Sequence, residues 1–430
     1  MKVLNYSSIN FWNELDNHLS LREVDTSSKI DDNVKSIIAD IKKYGDEKII
    51  QYAKEFDNIT LKREDIKLQD LKKFYSLDNL NTNTLDSFRL AIKNVKKFHE
   101  KQFPQDYEVE NMNAKLKSIW KPIDSVGIYI PGGNAEYPSS LIMSVVPAQI
   151  AGVNRIVCVT PPSNNINPYI AFLLDELGVN EVYQVGGAQA IAALTFGTKI
   201  IRPVNKIFGP GNAYVATAKK QVFGKVGIDL VAGPSEIVVV ADETNNPEWV
   251  ASDLMAQAEH DENAQSILIT NSKFFADQVL EKIQNLLKIV SKKQIINESL
   301  NKNGLIVIMD DLLLSYKLIN EIAPEHLHLQ SLEKEKILKK INNAGGIFLG
   351  SYSTEAFGDY IVGTNHILPT SGASKFSSGL GVIDFMKKSS LVEINQLSFD
   401  SLSKHVENIS DVENLDAHKL SVTIRQTKKN

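Results

Sequence analysis

The chain has a single cysteine, Cys158, among its 430 residues. An intrachain disulfide is therefore excluded, and any metal site must be built from His, Asp, Glu, Asn or Gln. Cys158 lies in RIVCVT, a short run rich in β-branched residues that predicts a buried strand. Because free cysteine is among the most buried residue types, we expect Cys158 to be a core residue rather than a nucleophile.

Long apolar runs and a strong excess of one charge are also missing. No apolar run is long enough to span a bilayer, and the first residues, MKVLNYSSINFWNELD, lack the features of a secretion signal. The 47 basic and 52 acidic residues are spread along the chain rather than gathered into a strongly basic face. We therefore expect a cytoplasmic protein that binds neither membranes nor nucleic acid.

The usual dinucleotide-binding fingerprint, GxGxxG, does not occur in the sequence. Glycine turns follow predicted strands instead, in IPGG at 130–133, VGGAQA at 185–190 and FGPGNAYV at 208–215. Glycine allows a ligand to approach the backbone closely, and the helices that begin there can attract an anion. Taken alone, these turns are weak evidence for nucleotide binding.

The order of predicted elements indicates an α/β fold. A chain of this length, with 43% hydrophobic residues, predicts two or three domains. The N-terminal part has helical spacing, and from Ser125 strands such as SVGIYI, RIVCVT and EVYQV alternate with helices. A second set follows with EIVVVAD, SILIT, GLIVIMD and GGIFLG, and a helix-rich tail begins after Gly381. This alternation predicts two layers with parallel sheets.

Histidines in polar contexts are the first indication of a site. Six of the 8 histidines follow residue 259, and four of them end the segments QAEH (His260), PEH (His326), GTNH (His366) and LDAH (His418). A single histidine is more often a surface or satisfied core residue than a ligand, so the joint pattern matters more than any one member.

One predicted helix begins with Asn246 as a cap and Pro247 in its first turn. It places Gln257 and His260 three residues apart on one face, where both can reach one ion. With no thiolate available, imidazole and oxygen donors favour zinc, with manganese or cobalt as substitutes. A solvated helix end would explain the segment equally well.

Further polar groups lie in the second half of the chain. Glu325 and His326 are adjacent in a break between apolar segments, where they can activate water and carry a proton, although a capped loop is the alternative. Asp359 offers a carboxylate ligand, and a glycine-containing turn could aim His366 into the same cleft. The tail adds Glu413 and His418.

Together these segments resemble the histidinol dehydrogenase family from about Val24 to Arg425. The most specific stretch is DLVAGPSEIVVVAD followed by WVASDLMAQAEH, supported by IPGGNAEYPSSL, APEHLHLQ and FGDYIVGTNHILPT. The resemblance implies two incomplete Rossmann-like parallel-sheet domains with helical N-terminal and C-terminal extensions. The implied boundaries are an extension at 1–20, a metal and catalytic domain at 21–124 plus 235–380, an NAD-binding domain at 125–234, and a tail at 381–430.

The resemblance also implies the reaction. It is the NAD-dependent, four-electron oxidation of L-histidinol through L-histidinaldehyde to L-histidine, which ends histidine biosynthesis. The implied protein is a homodimer with one zinc ion per subunit, whose tail crosses to complete the partner's active site. The implied catalytic residues are His326 for proton transfer and Glu325 for water activation.

The remaining implied residues fall into three sets. The zinc ligands are Gln257, His260, Asp359 and His418. The NAD contacts are Tyr129, Gln189 and Asn212. The substrate contacts are Ser235, Gln257, His260, Glu325, His326, Asp359, His366, Glu413 and His418.

Two other functions compete with this prediction. A zinc hydrolase would use Glu325 and His326 to activate metal-bound water without NAD. A non-catalytic metal or nucleotide sensor would keep the fold but would not need the acid–base pair. A dehydrogenase of a related amino alcohol is the alternative within the predicted class. Because Cys158 lies in an apolar strand, we expect the aldehyde to be oxidised through its hydrate rather than through a thiohemiacetal.

Overall fold

The fold is described from a computed structural model, which covers residues 1–22, 28–132, 137–164, 166–231 and 233–426. The predicted glycine turn at 130–133 is therefore described only as far as Gly132. Val24, where the family resemblance begins, and Ala232, in the stretch DLVAGPSEIVVVAD, lie outside the described residues.

The described residues form fourteen strands and sixteen α-helices. The strands are Lys2–Asn5 (β1), Tyr107–Asn111 (β2), Ala114–Pro122 (β3), Ser125–Tyr129 (β4), Arg155–Thr160 (β5), Glu181–Gln184 (β6), Lys206–Phe208 (β7), Gly227–Ile228 (β8), Glu236–Val240 (β9), Gln265–Thr270 (β10), Leu305–Ile308 (β11), His326–Leu329 (β12), Gly346–Leu349 (β13) and Met386–Glu393 (β14). The helices are Phe11–Leu19 (α1), Ser28–Tyr44 (α2), Asp46–Phe56 (α3), Thr82–His99 (α4), Pro138–Ala151 (α5), Pro168–Glu176 (α6), Gly187–Phe196 (α7), Ala213–Val222 (α8), Pro247–Ala258 (α9), Lys273–Leu286 (α10), Lys293–Asn303 (α11), Ser315–Ile322 (α12), Lys334–Leu338 (α13), Glu355–Tyr360 (α14), Gln396–Val412 (α15) and Asp416–Gln426 (α16).

The larger sheet has six parallel strands in the order β1-β11-β10-β9-β12-β13. Its central strands, such as EIVVV and QSILIT, are buried along their whole length, which explains their continuous apolar runs. Apart from β1, the strands follow the Rossmann order, with the first strand of the set beside the fourth. The predicted second α/β layer is thus confirmed, and β1 is an addition from the predicted N-terminal extension.

The second parallel sheet has the order β6-β5-β4-β7-β8, which is again the Rossmann order over five strands. Gly209, directly after β7, lies close to the backbone of Tyr129 at the end of the neighbouring strand β4. This residue has a φ of 109°, and a Cβ atom there would lie 2.3 Å from the carbonyl oxygen of Tyr129. Only glycine fits this turn, which holds the FGPGN segment against the end of β4.

A third, antiparallel sheet joins β14, β3 and β2. The strand β14 pairs with β3 from Met386↔Pro122 to Glu393↔Lys115. The predicted helix-rich tail after Gly381 therefore contains a strand before its two α-helices. Most of β14 is exposed, so its sequence carries little of the apolar alternation that marks a half-buried strand.

Helices of the N-terminal part pack against the five-stranded sheet. The side chains of Val34, Ile37 and Ile41 on α2 share a core with Val157 and Ile191. The helix α4 likewise packs against α5. These contacts join the N-terminal helices to the five-stranded sheet of residues 125–234. The domain boundaries, which group 21–124 with 235–380, stay a prediction.

The two tail helices, α15 and α16, pack against each other. The helix α16 has no buried residue, and Ile409 and Val412 on α15 are 60% and 83% exposed. Apolar side chains are costly to leave in water, so this hairpin presents a surface suited to a partner. Across the described parts of the chain, no helix has the length and apolar character that crossing a membrane requires.

Arg155 and Glu181 form an ion pair at the amino ends of β5 and β6. Two hydrogen bonds of 2.8 Å join them, and the bonds from Arg155 lower the pKa of Glu181 to about 2. A lowered folded-state pKa stabilises the fold above the ordinary value and loses this contribution as the pH falls.

We therefore expect Glu181→Gln to lower the thermal midpoint at pH 7 by about 1–3 °C. The difference from the unsubstituted chain should shrink as the pH falls below about 4.5, towards about 2. Calorimetry of both proteins across this range checks the result. A difference that does not change with pH would show that the carboxylate charge contributes nothing.

Candidate active site

A cleft of about 920 Å³ lies between the two parallel sheets. One wall is made by residues that follow β4 and β7, where the strand order of the five-stranded sheet reverses. Ligands of open α/β sheets bind at such carboxyl ends. The other wall is made by residues at the amino ends of β9 and β12, including Ser235, Glu325 and His326.

His326 is the first residue of β12, so the predicted break between apolar segments is in fact the start of a strand. Its Nδ1 lies 3.0 Å from the carbonyl oxygen of Glu236. Because a carbonyl only accepts, this contact places a proton on Nδ1 and leaves the lone pair on Nε2. Nε2 is buried and lacks a hydrogen-bond partner among the described residues. Burial lowers the pKa of His326 to about 3, so the ring is neutral near pH 7.

Glu325 is buried beside His326, with its Oε2 3.7 Å from the imidazole Nδ1. The backbone N–H of Glu236 donates to the same oxygen at 2.9 Å. Loss of solvation raises the pKa of Glu325 well above its ordinary value. A carboxylate in this environment is a stronger base than one in water.

Three side chains of this cleft form a group suited to a metal ion. Ligand atoms of His260, Glu355 and Asp359 all lie within 4.8 Å of one another. Burial raises the pKa of both carboxyl groups and lowers that of His260. Buried carboxyl groups that lie close together are stabilised in their ionised form by a cation. Nitrogen and oxygen donors of this kind suit a divalent metal.

The helix α9 supplies Gln257 and the approach to His260. Asn246 caps it, accepting from the N–H of Glu248 at 2.8 Å, as the sequence predicts. The helix ends at Ala258, however, so His260 lies beyond it rather than on its face. A turn in which the N–H of His260 donates to the carbonyl of Gln257 at 3.3 Å keeps the two residues together.

The amide of Gln257 can take two orientations, and each suits only some of its neighbours. With Oε1 towards His326, the amide oxygen accepts from Nδ1 at 2.9 Å but also lies 3.1 Å from both carboxylate oxygens of Glu355. With the amide turned, Nε2 can donate to these oxygens at 3.1 Å, but it also lies 2.9 Å from Nδ1 of His326, which would then have to accept. A neutral Glu355 favours the first orientation and an ionised one the second, because an ionised carboxylate only accepts.

His366 lines the same cleft, as the sequence predicts from its turn. Its Nδ1 donates to the carbonyl of Asp359 at 2.9 Å, and the hydroxyl of Ser140 donates to its Nε2 at 3.0 Å. Burial lowers the pKa of His366 to about 4. The neutral ring is thus held in one orientation at the edge of the cleft.

The predicted site residues divide into two groups. The cleft of this chain is lined by Asn212, Ser235, Gln257, His260, Glu325, His326, Asp359 and His366. Tyr129 and Gln189 are buried and do not line it, and the Tyr129 hydroxyl accepts from the N–H of Gly187 at 3.1 Å. Glu413 and His418 are exposed on the tail and do not line the cleft. The roles assigned to all these residues stay predictions.

Glu355 is the site residue that the sequence analysis missed. It is 3% exposed and lies 3.6 Å from the imidazole Nδ1 of His326. The available signal was its position four residues before Asp359, which puts the two carboxyl groups on one face of α14.

Comparison with known proteins identifies the relatives of this chain. The family model described as histidinol dehydrogenase matches residues 20–426. A histidinol dehydrogenase of Rhodospirillum rubrum is 44% identical over 407 residues, covering 94% of each chain. One of Clostridium acetobutylicum is 43% identical over 410 residues, covering 95% of each. The crystal structure of histidinol dehydrogenase from Elizabethkingia anophelis superposes with a TM-score of 0.92 at 35% identity, covering 99% of this chain and 98% of that one. The chain belongs to the histidinol dehydrogenase family.

Proposed function

We propose that this chain oxidises L-histidinol through L-histidinaldehyde to L-histidine with NAD, as the last step of histidine biosynthesis. The observation that carries the proposal is the buried pair of Glu325 and His326, both bonded to the backbone of Glu236 and both lining the cleft. A neutral imidazole with an unpartnered Nε2, on the residue next to a carboxylate, is what proton transfer followed by hydration requires.

His326 takes the role of general base. Its Nδ1 proton is held by the carbonyl of Glu236, so Nε2 accepts the proton of the substrate hydroxyl as the alcohol is oxidised. The aldehyde then needs water before it can lose a second hydride. Glu325 takes a proton from that water, because burial has made its carboxylate more basic.

Zinc fits the donors that line the cleft. The proposed ligands in this chain are Gln257, His260 and Asp359, with Glu355 near enough to join or support them. Zinc here supplies a positive charge that binds and orients the substrate's imidazole and amine.

NAD supplies the acceptor for two successive hydrides. We place it along the carboxyl ends of β4 and β7, where Asn212 caps α8 by accepting from the N–H groups of Tyr214 and Val215. Tyr129 holds the start of α7 through Gly187. These contacts support a nucleotide site without a GxGxxG motif.

A homodimer completes the proposed site. Glu413 and His418 lie outside the cleft of their own chain, and the tail that carries them exposes apolar side chains. We propose that the tail packs on a second copy, where His418 becomes the fourth zinc ligand and Glu413 contacts the substrate. Ser235 and His366 line the cleft as further substrate contacts.

The test is a spectrophotometric assay of NADH formation by purified, zinc-loaded protein given NAD and L-histidinol. We expect NADH to form, to stop when a chelator removes the metal, and to resume when zinc is restored. Hydrolysis of esters or amides without NADH formation would support the zinc hydrolase instead.

Cys158 takes no part in the proposed reaction. Its side chain is fully buried in β5, and burial raises the pKa of the thiol well above its ordinary value. We expect Cys158→Ala to keep kcat for both oxidation steps within about two-fold, since the variant removes only a buried thiol. Separate assays with L-histidinol and L-histidinaldehyde check this, and loss of the aldehyde step alone would point to a thiohemiacetal.

A further inference from the structure

The backbone of Glu236 holds both proposed catalytic residues at once. Its N–H donates to Glu325 at 2.9 Å, and its carbonyl oxygen lies 3.0 Å from the Nδ1 of His326. Small changes in the orientation of this backbone would therefore move the carboxylate and the imidazole together. Glu236 itself does not line the cleft.

The side chain of Glu236 is fixed by a buried ion pair. Arg22 donates from Nη1 to Oε2 at 3.0 Å, and the two side chains are 9% and 2% exposed. The N–H of Ser371 donates to the other carboxylate oxygen. Arg22 lowers the pKa of Glu236, but loss of solvation has the larger effect. The pKa of Glu236 is therefore raised above its ordinary value.

Arg22 also bonds to the segments that lead into the catalytic pair. The same Nη1 donates to the carbonyl of Ile322 at 2.9 Å, at the last residue of α12. A cation is favourable at a helix C-terminus, and only Ala323 and Pro324 separate this helix from Glu325. The backbone carbonyl of Arg22 accepts from the hydroxyl of Ser371 at 3.1 Å. The side chain of Arg22 thus connects the start of β9 with the end of α12, and its backbone carbonyl adds the segment at Ser371.

Such an arrangement is a poor way to gain stability. Taking two charges out of water costs about as much as their attraction returns, and apolar pairs of similar volume often stabilise a fold better. What a buried, fully bonded pair does provide is a fixed geometry.

We propose that Arg22 and Glu236 are positioning residues of the active site. They hold the backbone of residue 236 so that Glu325 and His326 keep the geometry that catalysis needs. The inference rests on the proposed function, because it assigns these two residues to the same reaction.

The test compares Arg22→Met with Arg155→Met, which breaks the arginine–glutamate pair at the far edge of the other sheet. We expect Arg22→Met to lower kcat for L-histidinol about ten- to a hundred-fold, since small misplacements of reacting groups have effects of this size. The KM for NAD and the zinc content should be unchanged. Arg155→Met should lower the thermal midpoint and leave kcat as it was. Arg22→Lys should recover part of the loss.

A double substitution separates positioning from general damage. In a His326→Ala background, Arg22→Met should cause much less further loss than it does alone, because the group it positions is gone. Equal losses in both backgrounds, or a loss matched by Arg155→Met, would overturn the inference. Glu236→Gln, which keeps the size and part of the bonding, serves the same comparison if Arg22→Met does not fold. An inactive unsubstituted protein would refute the proposed function, whereas active Arg22→Met would refute only this inference.

Discussion

Replacing His326 by alanine is expected to lower kcat for L-histidinol about 10²–10⁴-fold, the range of general acid–base catalysis. The physical reason is the buried, unpartnered Nε2 of this cleft-lining residue, whose lone pair is set by the Nδ1 contact with Glu236. Alanine removes this imidazole, while the metal group of His260, Glu355 and Asp359 remains. Zinc content should therefore stay at the level of the unsubstituted protein.

The matched control is His328→Gln on the same strand. His328 is also buried, but its Nε2 donates to the carbonyl of Gly350 at 2.9 Å, and it does not line the cleft. We expect this variant to lose thermal stability and to keep kcat within a few-fold. Steady-state kinetics and calorimetry of both variants make the comparison. Similar kcat losses in the two would contradict the assignment of His326 as the base.

Glu325→Gln extends this prediction to the second oxidation. An amide keeps the size of the carboxylate but cannot take a proton from water, so oxidation of the aldehyde should fall more than oxidation of the alcohol. The ratio of kcat with L-histidinaldehyde to kcat with L-histidinol, measured by stopped flow, reports this. Equal losses on both substrates would assign Glu325 a role other than water activation.

A large recovery of activity is expected when two inactive variants are combined in one dimer. Glu325→Ala is expected to inactivate the cleft of its own chain, and His418→Ala is expected to inactivate the cleft that receives its tail. A dimer with one copy of each variant then has one site with neither substitution and one with both. If tails cross, purified mixed dimers should regain about half of the unsubstituted activity, since one site in two is intact.

The mixed dimers are obtained by co-expressing the variants with different affinity tags and purifying on both tags in turn. Each variant purified alone is the control and should be inactive. Mixed dimers with no activity would contradict a crossing tail. Failure to recover any protein that carries both tags would contradict it as well. The exposed apolar residues of α15, such as Val412, are the structural reason to expect a dimer.

Much of the α/β core could be predicted from the sequence because burial leaves a strong signal. Strands covered on both faces, such as Glu236–Val240, read as continuous apolar runs, and Asn246 with Pro247 marked the start of a helix. The strands β1 and β14 were missed because one is a short edge strand and the other is largely exposed. Neither position requires the apolar pattern by which strands are recognised.

The candidate site was predicted in part, for a different reason. Spacing marked Gln257 with His260, and adjacency marked Glu325 with His326, as candidates, but their assignment to one site came from the resemblance to a family. Glu355 was missed because a carboxylate in a polar helix looks like a solvated one, and its burial depends on elements distant in sequence. The positions of Arg22 and Glu236 beneath the cleft likewise follow from tertiary packing alone.

A four-electron oxidation at one site is measured most directly by the ratio of NADH to L-histidine. Purified, zinc-loaded protein is given NAD and a limiting amount of L-histidinol, with NADH followed by absorbance and histidine quantified in the same sample. We predict two NADH for each histidine formed, because two hydrides leave the substrate. One NADH for each L-histidinol consumed, with aldehyde accumulating and no histidine, would contradict it.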